Sequence, residues 1–189
     1  TTEPKVRKDE GGDYIMTLDP TKRLVGTIYA VNQDSLEDTV AQRFVWNLYN
    51  RELRTMLVTD ATDSWNYTTE TWRQANGSSA NQVAYVCGAP WTMLTATAFT
   101  FASNTLSANI SAGVGIDSTS VNSAGVHGSR GAGSGFGVPQ QCARYTGYPG
   151  IGYHTVVWLE ISEALGTTSW FGDDASAVSQ SGMEAEILG

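Results

Sequence analysis

The residues that could do nucleophilic, acid–base or metal chemistry are few and scattered. His127 and His154 are the two histidines, and Cys87 and Cys142 the two cysteines, of a 189-residue chain. A serine or cysteine nucleophile needs a base beside it. His154 lies in a segment of alternating apolar residues, where a hydrogen-bonded structural role is the expectation. His127 lies in a glycine-rich stretch, where exposure leaves it inert as a base. No serine sits in a Gly-x-Ser-x-Gly elbow; the Ser134 context, Gly133-Ser134-Gly135, lacks that spacing. The four groups are too dispersed to claim a metal site. Asp173-Asp174 reads as a solvated acidic turn rather than a calcium loop. The glycines at 131, 133, 135 and 137 are not followed by a helix or by Lys-Ser/Thr, so they do not make a phosphate loop. No cofactor is expected. Glycoside hydrolysis would need two carboxylates across one sugar bond. Asp117, Glu160, Glu163 and Asp173 are candidates, but their spacing selects no pair, so no catalytic residue is assigned.

The aromatic residues are more informative. The chain has six Trp and eight Tyr. Such rings give large contact area at low entropy cost, on a sugar face or in an interface. Trp46 and Trp158 fall within strand patterns and are expected in the core. Tyr145, Tyr148 and Tyr153 flank a Gly/Pro segment; with Trp170 and His127 they are the candidates for exposed contact.

These residues must be positioned by β structure. Between 106 and 116 apolar residues alternate strictly with polar ones or glycine, the signature of one half-buried strand. Further strands read at 24–31, 43–51, 53–59 (the hairpin partner of 43–51), 82–87, 91–101, 153–162, 167–171 and 183–188. Asn76-Gly77 signals a turn, and 35–42 one helical turn capped by Ser35. Residues 118–149 read as a long surface loop with a short strand near 140–145. Short strands without a long helical period predict an all-β fold, an antiparallel β-sandwich of jelly-roll kind. Residues 1–13 are polar and charged, do not read as a secretion signal, and are taken as an arm or linker. Residues 14–189 are taken as a single domain.

Charged residues make up only 16% of the chain and hydrophobic ones 41%, so much of the surface is Ser, Thr, Asn, Gln and Gly. The net charge of −8 removes the electrostatic footprint of a nucleic-acid binder. No apolar run is long enough for a membrane span. Two cysteines are too few for a disulfide scaffold and are expected as buried thiols.

Seven segments, in order, resemble a C-terminal module of tailed-bacteriophage virion structural proteins. They are RLVGTIYAV (23–31), RFVWNLYNR (43–51), WNYTTETWRQANGS (65–78), VGIDS (114–118), GYHTVVWLE (152–160), WFGD (170–173) and GMEAEILG (182–189). The resemblance implies a non-enzymatic fibre, spike or decoration element on the outer surface of the virion. It also implies a homotrimer, contact with other virion proteins, and contact with a host surface glycan. It supplies no catalytic residues. Two other readings stay open: a glycan depolymerase or its accessory domain, and a free carbohydrate-binding module. The 118–149 segment does not align with the module; recognition is expected there, with His127, Tyr145 and Tyr148 as the leading contacts.

Overall fold

A computed structural model describes residues 5–9, 12–16, 25–32, 35–130, 140–173 and 179–189. Its strands are β1 (Lys5–Asp9), β2 (Gly12–Met16), β3 (Gly26–Ile28), β4 (Ala30–Asn32), β5 (Ser35–Leu36), β6 (Gln42–Arg43), β7 (Val45–Asn47), β8 (Leu53–Thr59), β9 (Ser64–Asn66) and β10 (Arg73–Gln74). After a 3-10 turn at Ala75–Gly77 come β11 (Gln82–Cys87), β12 (Leu94–Asn104), β13 (Asn109–Ile116), β14 (Val126–His127), β15 (Ser129–Arg130), β16 (Gln140–Gly147), β17 (Gly152–Ser162), β18 (Thr168–Phe171) and β19 (Gly182–Leu188).

Among the described residues the fold is an all-β sandwich. A six-stranded sheet runs β15-β13-β17-β11-β6, with β10 also on β17. A seven-stranded sheet runs β14-β16-β12, and β12 then pairs with β19 along one half and with β18 along the other. Outside these lie β8 on β19 and β9 on β18. The pairings within both sheets are antiparallel except the short parallel one between β6 and β11. Successive strands β11, β12, β13, β16 and β17 alternate between the sheets instead of forming hairpins within one. This is the wrapping expected of a sandwich of jelly-roll kind.

The core lies between the sheets. β11, β13 and β17 contribute Val83, Tyr85, Ala112, Val114, Val156 and Trp158; β8, β12, β16 and β19 contribute Met56, Leu94, Ala96, Ala98, Ala143, Met183 and Ala185. Alanines on one sheet make room for the large rings of the other, which is how close packing is reached without voids. Trp158 is fully buried, and its Nε1–H is satisfied across the core by Thr100 Oγ1 at 2.8 Å. Trp46 is buried as well, so both expected core tryptophans are found inside.

Several local expectations are corrected. The alternating segment is a strand from Asn109 on, but it is covered on both faces rather than one. Its small residues are the reason. A Cβ on Gly113 would come within 2.6 Å of the Trp72 ring, and one on Gly115 within 2.1 Å of the Ser118 carbonyl oxygen. The 118–124 segment closes β13's outer edge: Asn122 Oδ1 accepts from Val114 N, and Ser123 N donates to Val114 O. The long 118–149 loop is therefore largely structured in its described part, through β14, β15 and β16. Residues 131–139, with Gly131, Gly133, Gly135 and Gly137, lie outside the described residues, as does Asp174.

β8 is not the hairpin partner of β7. It pairs with β19, whose other edge lies on β12, and so extends the large sheet, while β7 pairs with β3. The 35–42 segment contains β5, paired with β4, in place of a helical turn. Asn76 and Gly77 form the expected turn, both at positive φ. β1 pairs antiparallel with β2.

Candidate functional site

A cleft of about 350 Å³ opens where the start of β13, the end of β17 and β14 converge. Asn109, Ser111, His127, Glu70, Ile161 and Glu163 line it. His127 is delivered by β14, which pairs with β16 at Ala143, and the chain then turns through Gly128 at φ +103°. That conformation favours glycine because a Cβ is strained there.

Ser111 Oγ lies 3.1 Å from His127 Nδ1. The same hydroxyl donates to the Ala112 carbonyl oxygen at 2.8 Å. Its proton is thus committed, so Nδ1 carries hydrogen and donates to Oγ. This arrangement holds the ring; it does not activate Ser111 as a nucleophile, for which the imidazole would have to accept. Trp72 meets the imidazole edge to face at 5.5 Å. Nε2 is left toward the cleft on an exposed residue. Glu163 is positioned by both amide groups of Asn109, each at 2.6 Å. The cleft thus combines an apolar floor, an oriented imidazole, an adjacent indole and the carboxylates of Glu70 and Glu163. Such a set accepts hydrogen bonds from hydroxyls and repels anions, which suits a neutral polyhydroxylated ligand.

At the other end of the sandwich His154 Nδ1 contacts Asp117 Oδ2 at 2.8 Å, and Thr155 N donates to Asp117 Oδ1 at 2.7 Å. Burial opposes ionisation of Asp117, but these hydrogen bonds outweigh it and hold its pKa below the ordinary value. His154 is buried against Tyr85, ring to ring at 5.5 Å. The expectation of a hydrogen-bonded structural histidine is met.

Glu160 is fully buried at the centre of a third polar group. Oε1 accepts from Arg73 Nε at 2.8 Å and from Asn76 N at 3.2 Å; Oε2 accepts from Trp65 Nε1 at 2.8 Å. Arg73 in turn lies over the Tyr67 ring at 3.7 Å. Burial raises the Glu160 pKa to about 7, against the lowering effect of Trp65 and Arg73. Both carboxylate oxygens are engaged by protein donors and the side chain has no exposed surface, so Glu160 is not presented to a sugar.

The contact candidates do not form one surface. His127 opens on the cleft. Tyr145 and Tyr153 lie toward the Asp117 end, where burial chiefly, with Tyr29 for Tyr153 and the Asp117 carboxylate for both, raises their phenol pKa values. β17 separates Tyr153 from Ser162 by roughly 30 Å of extended chain. Tyr153 packs on Tyr29 and Phe44, and the Tyr145 ring lies over Gly147. Tyr148 is exposed. Trp170, expected at the surface, is fully buried and donates Nε1–H to Tyr67 O at 3.0 Å, so it presents no ring to solvent. Of the two thiols, Cys87 is buried as expected and Cys142 is exposed, because it falls on the outward phase of β16. Both are free.

The sequence reading missed Trp72, Ser111, Asn109 and Glu70. Ser111 belonged to the supposedly exposed phase of the alternation; of the cleft residues, His127 had entered as a contact candidate and Glu163 as one of four carboxylates whose spacing selected no pair. Among the described residues no group of three His, Cys, Asp or Glu side chains gathers as for a metal. No helix among them is long and apolar enough to cross a membrane. No protein-family model matches the chain, and no curated protein matches it.

Proposed function

We propose that this chain is a non-enzymatic structural protein of a bacteriophage virion, a fibre, spike or decoration element on the particle surface. In this reading it self-associates, contacts other virion proteins, and meets a neutral host glycan at the His127 cleft.

One observation supports the reading above the others. Two of the segments that carry the resemblance are joined by a single buried network: Trp65, Arg73 and Asn76 come from WNYTTETWRQANGS, and Glu160 from GYHTVVWLE. Residues that hold each other in the core are those that resemble the phage module, so the likeness falls on the frame of the fold. The cleft then supplies the recognition chemistry, with His127 and Glu163 oriented by hydrogen bonds before any ligand arrives. Preorganisation of this kind reduces the ordering cost of binding.

The test has two parts. Mass spectrometry of purified particles should find the chain as a virion component. Purified chain should bind host-cell surface polysaccharide saturably, and Trp72→Ala and His127→Ala should each weaken binding about tenfold. Absence from the particle would defeat the virion reading. Release of reducing ends from that polysaccharide, abolished by Glu163→Gln, would replace it with a depolymerase.

A further inference from the structure

We infer that the outer face of the seven-stranded sheet is where copies of this chain join. The joining axis runs parallel to β12, with Arg144 of one copy against Glu184 of the next. This rests on the register of the sheet and not on the virion reading.

Alternation along β12 points Leu94, Ala96 and Ala98 inward and Thr95, Thr97, Phe99 and Phe101 outward. The outward phase of the neighbouring strands follows from the pairing. Arg144 and Glu184 stand on either side of Thr97; Cys142 and Gly182 stand on either side of Phe99; Thr146 and Glu186 stand on either side of Thr95. Arg144, Cys142, Glu184 and Glu186 are exposed. Neither Arg144 nor Glu184 makes an ion pair among the described residues; across two strand spacings they are about 10 Å apart, too far for one. Phe99 and Phe101 meet edge to face at 5.3 Å on this outer side. Beside them a hollow of about 380 Å³ lies over Gly182, between Leu57, Thr59, Thr97 and Phe99. Position 182 is confined to glycine, since a Cβ there would come within 2.5 Å of Val58 O.

The face therefore carries a basic group on its β16 side, acidic groups and a hollow on its β19 side, and aromatic rings along the middle. Rotation about an axis parallel to β12 brings the β16 side of one copy to the β19 side of another. Arg144 then meets Glu184, Cys142 meets the Gly182 hollow, and the phenylalanines meet near the axis. An axis in the sheet plane but perpendicular to the strands would set Arg144 on Arg144 and Glu184 on Glu184. The charges select the first operator, and with it a closed ring.

Sedimentation velocity of the full chain over a range of micromolar concentrations tests this. The wild type should sediment as a dimer or trimer. Arg144→Glu and Glu184→Arg should each weaken association about tenfold or more. The double variant should restore it, and since restoration requires folded protein it separates a lost interface from misfolding. Maleimide labelling of Cys142 in the wild type should slow as concentration rises. A 20.3 kDa species alone at all concentrations, labelling independent of concentration, or association that neither single variant weakens would overturn the inference.

Discussion

The indole of Trp65 donates its Nε1–H to the buried carboxylate of Glu160 at 2.8 Å, tying the seven-stranded sheet to the six-stranded one. Arg73 and the Asn76 amide fill the other oxygen. Removing the acceptors therefore strands three donors at once. Glu160→Leu should lower unfolding free energy by about 3–5 kcal/mol, read from the urea midpoint. Full retention of stability would show that the network contributes nothing net.

The same carboxylate sets a pH dependence. Its folded pKa, about 7, lies above the ordinary 4.5. The folded state binds this proton more tightly, so the contribution is fully present below pH 4.5 and is lost as pH rises through 7. Asp60 and Asp117 act in the opposite sense. Burial opposes ionisation at Asp60 too, but hydrogen bonds from Asn81, Thr62 and Asn76 outweigh it; both groups sit below the ordinary 3.8. Their contribution is present above that value and is lost as pH falls. Stability should peak at about pH 4 to 5. Glu160→Gln should abolish the decline above the peak, at a lower overall stability because its amide NH2 cannot accept from the Trp65 Nε1–H that Glu160 Oε2 accepts. A decline of wild-type size in the variant would reject Glu160 as its source.

Gly115 is covered at closer range than Gly113, and by backbone rather than by the rim of a ring. Gly115→Ala should cost about 1–3 kcal/mol, and more than Gly113→Ala, where the nearest atoms are side-chain atoms of Trp72 and Asn122 rather than backbone. Thermal unfolding of the two variants gives the order. Equal costs would mean that the 118–124 segment yields as easily as a side chain.

Trp170 is a core residue. Trp170→Ala should cost about 3–5 kcal/mol through the cavity it leaves, while folded variant protein keeps the wild-type affinity for polysaccharide. Loss of affinity at full folding would return this ring to the recognition surface.

In dilute native protein, a thiol reagent should modify Cys142 rapidly and Cys87 only after unfolding, because exposure governs access. Two rapid equivalents in the native state would contradict the burial of Cys87.

The sequence by itself determined the elements whose signal is local. Period-two alternation marks β12, β13 and β17 because adjacent side chains take opposite faces wherever the chain goes. Asn76-Gly77 marks its turn because both residues accept positive φ. Trp46 and Trp158 were legible as core for the same reason. Tertiary structure alone decided what covers each face. The glycines of β13 looked like an exposed phase, yet Trp72 and the 118–124 segment lie against them, from positions a local pattern does not reach. The partner of β8 is β19, more than 120 residues on, and no turn signal encodes a pairing across that distance. The cleft was hidden likewise. Ser111, His127 and Glu163 are neighbours only because β14 crosses the sandwich edge beside the ends of β13 and β17. Side-chain chemistry is written in the chain, but which groups converge depends on strand pairings between distant segments.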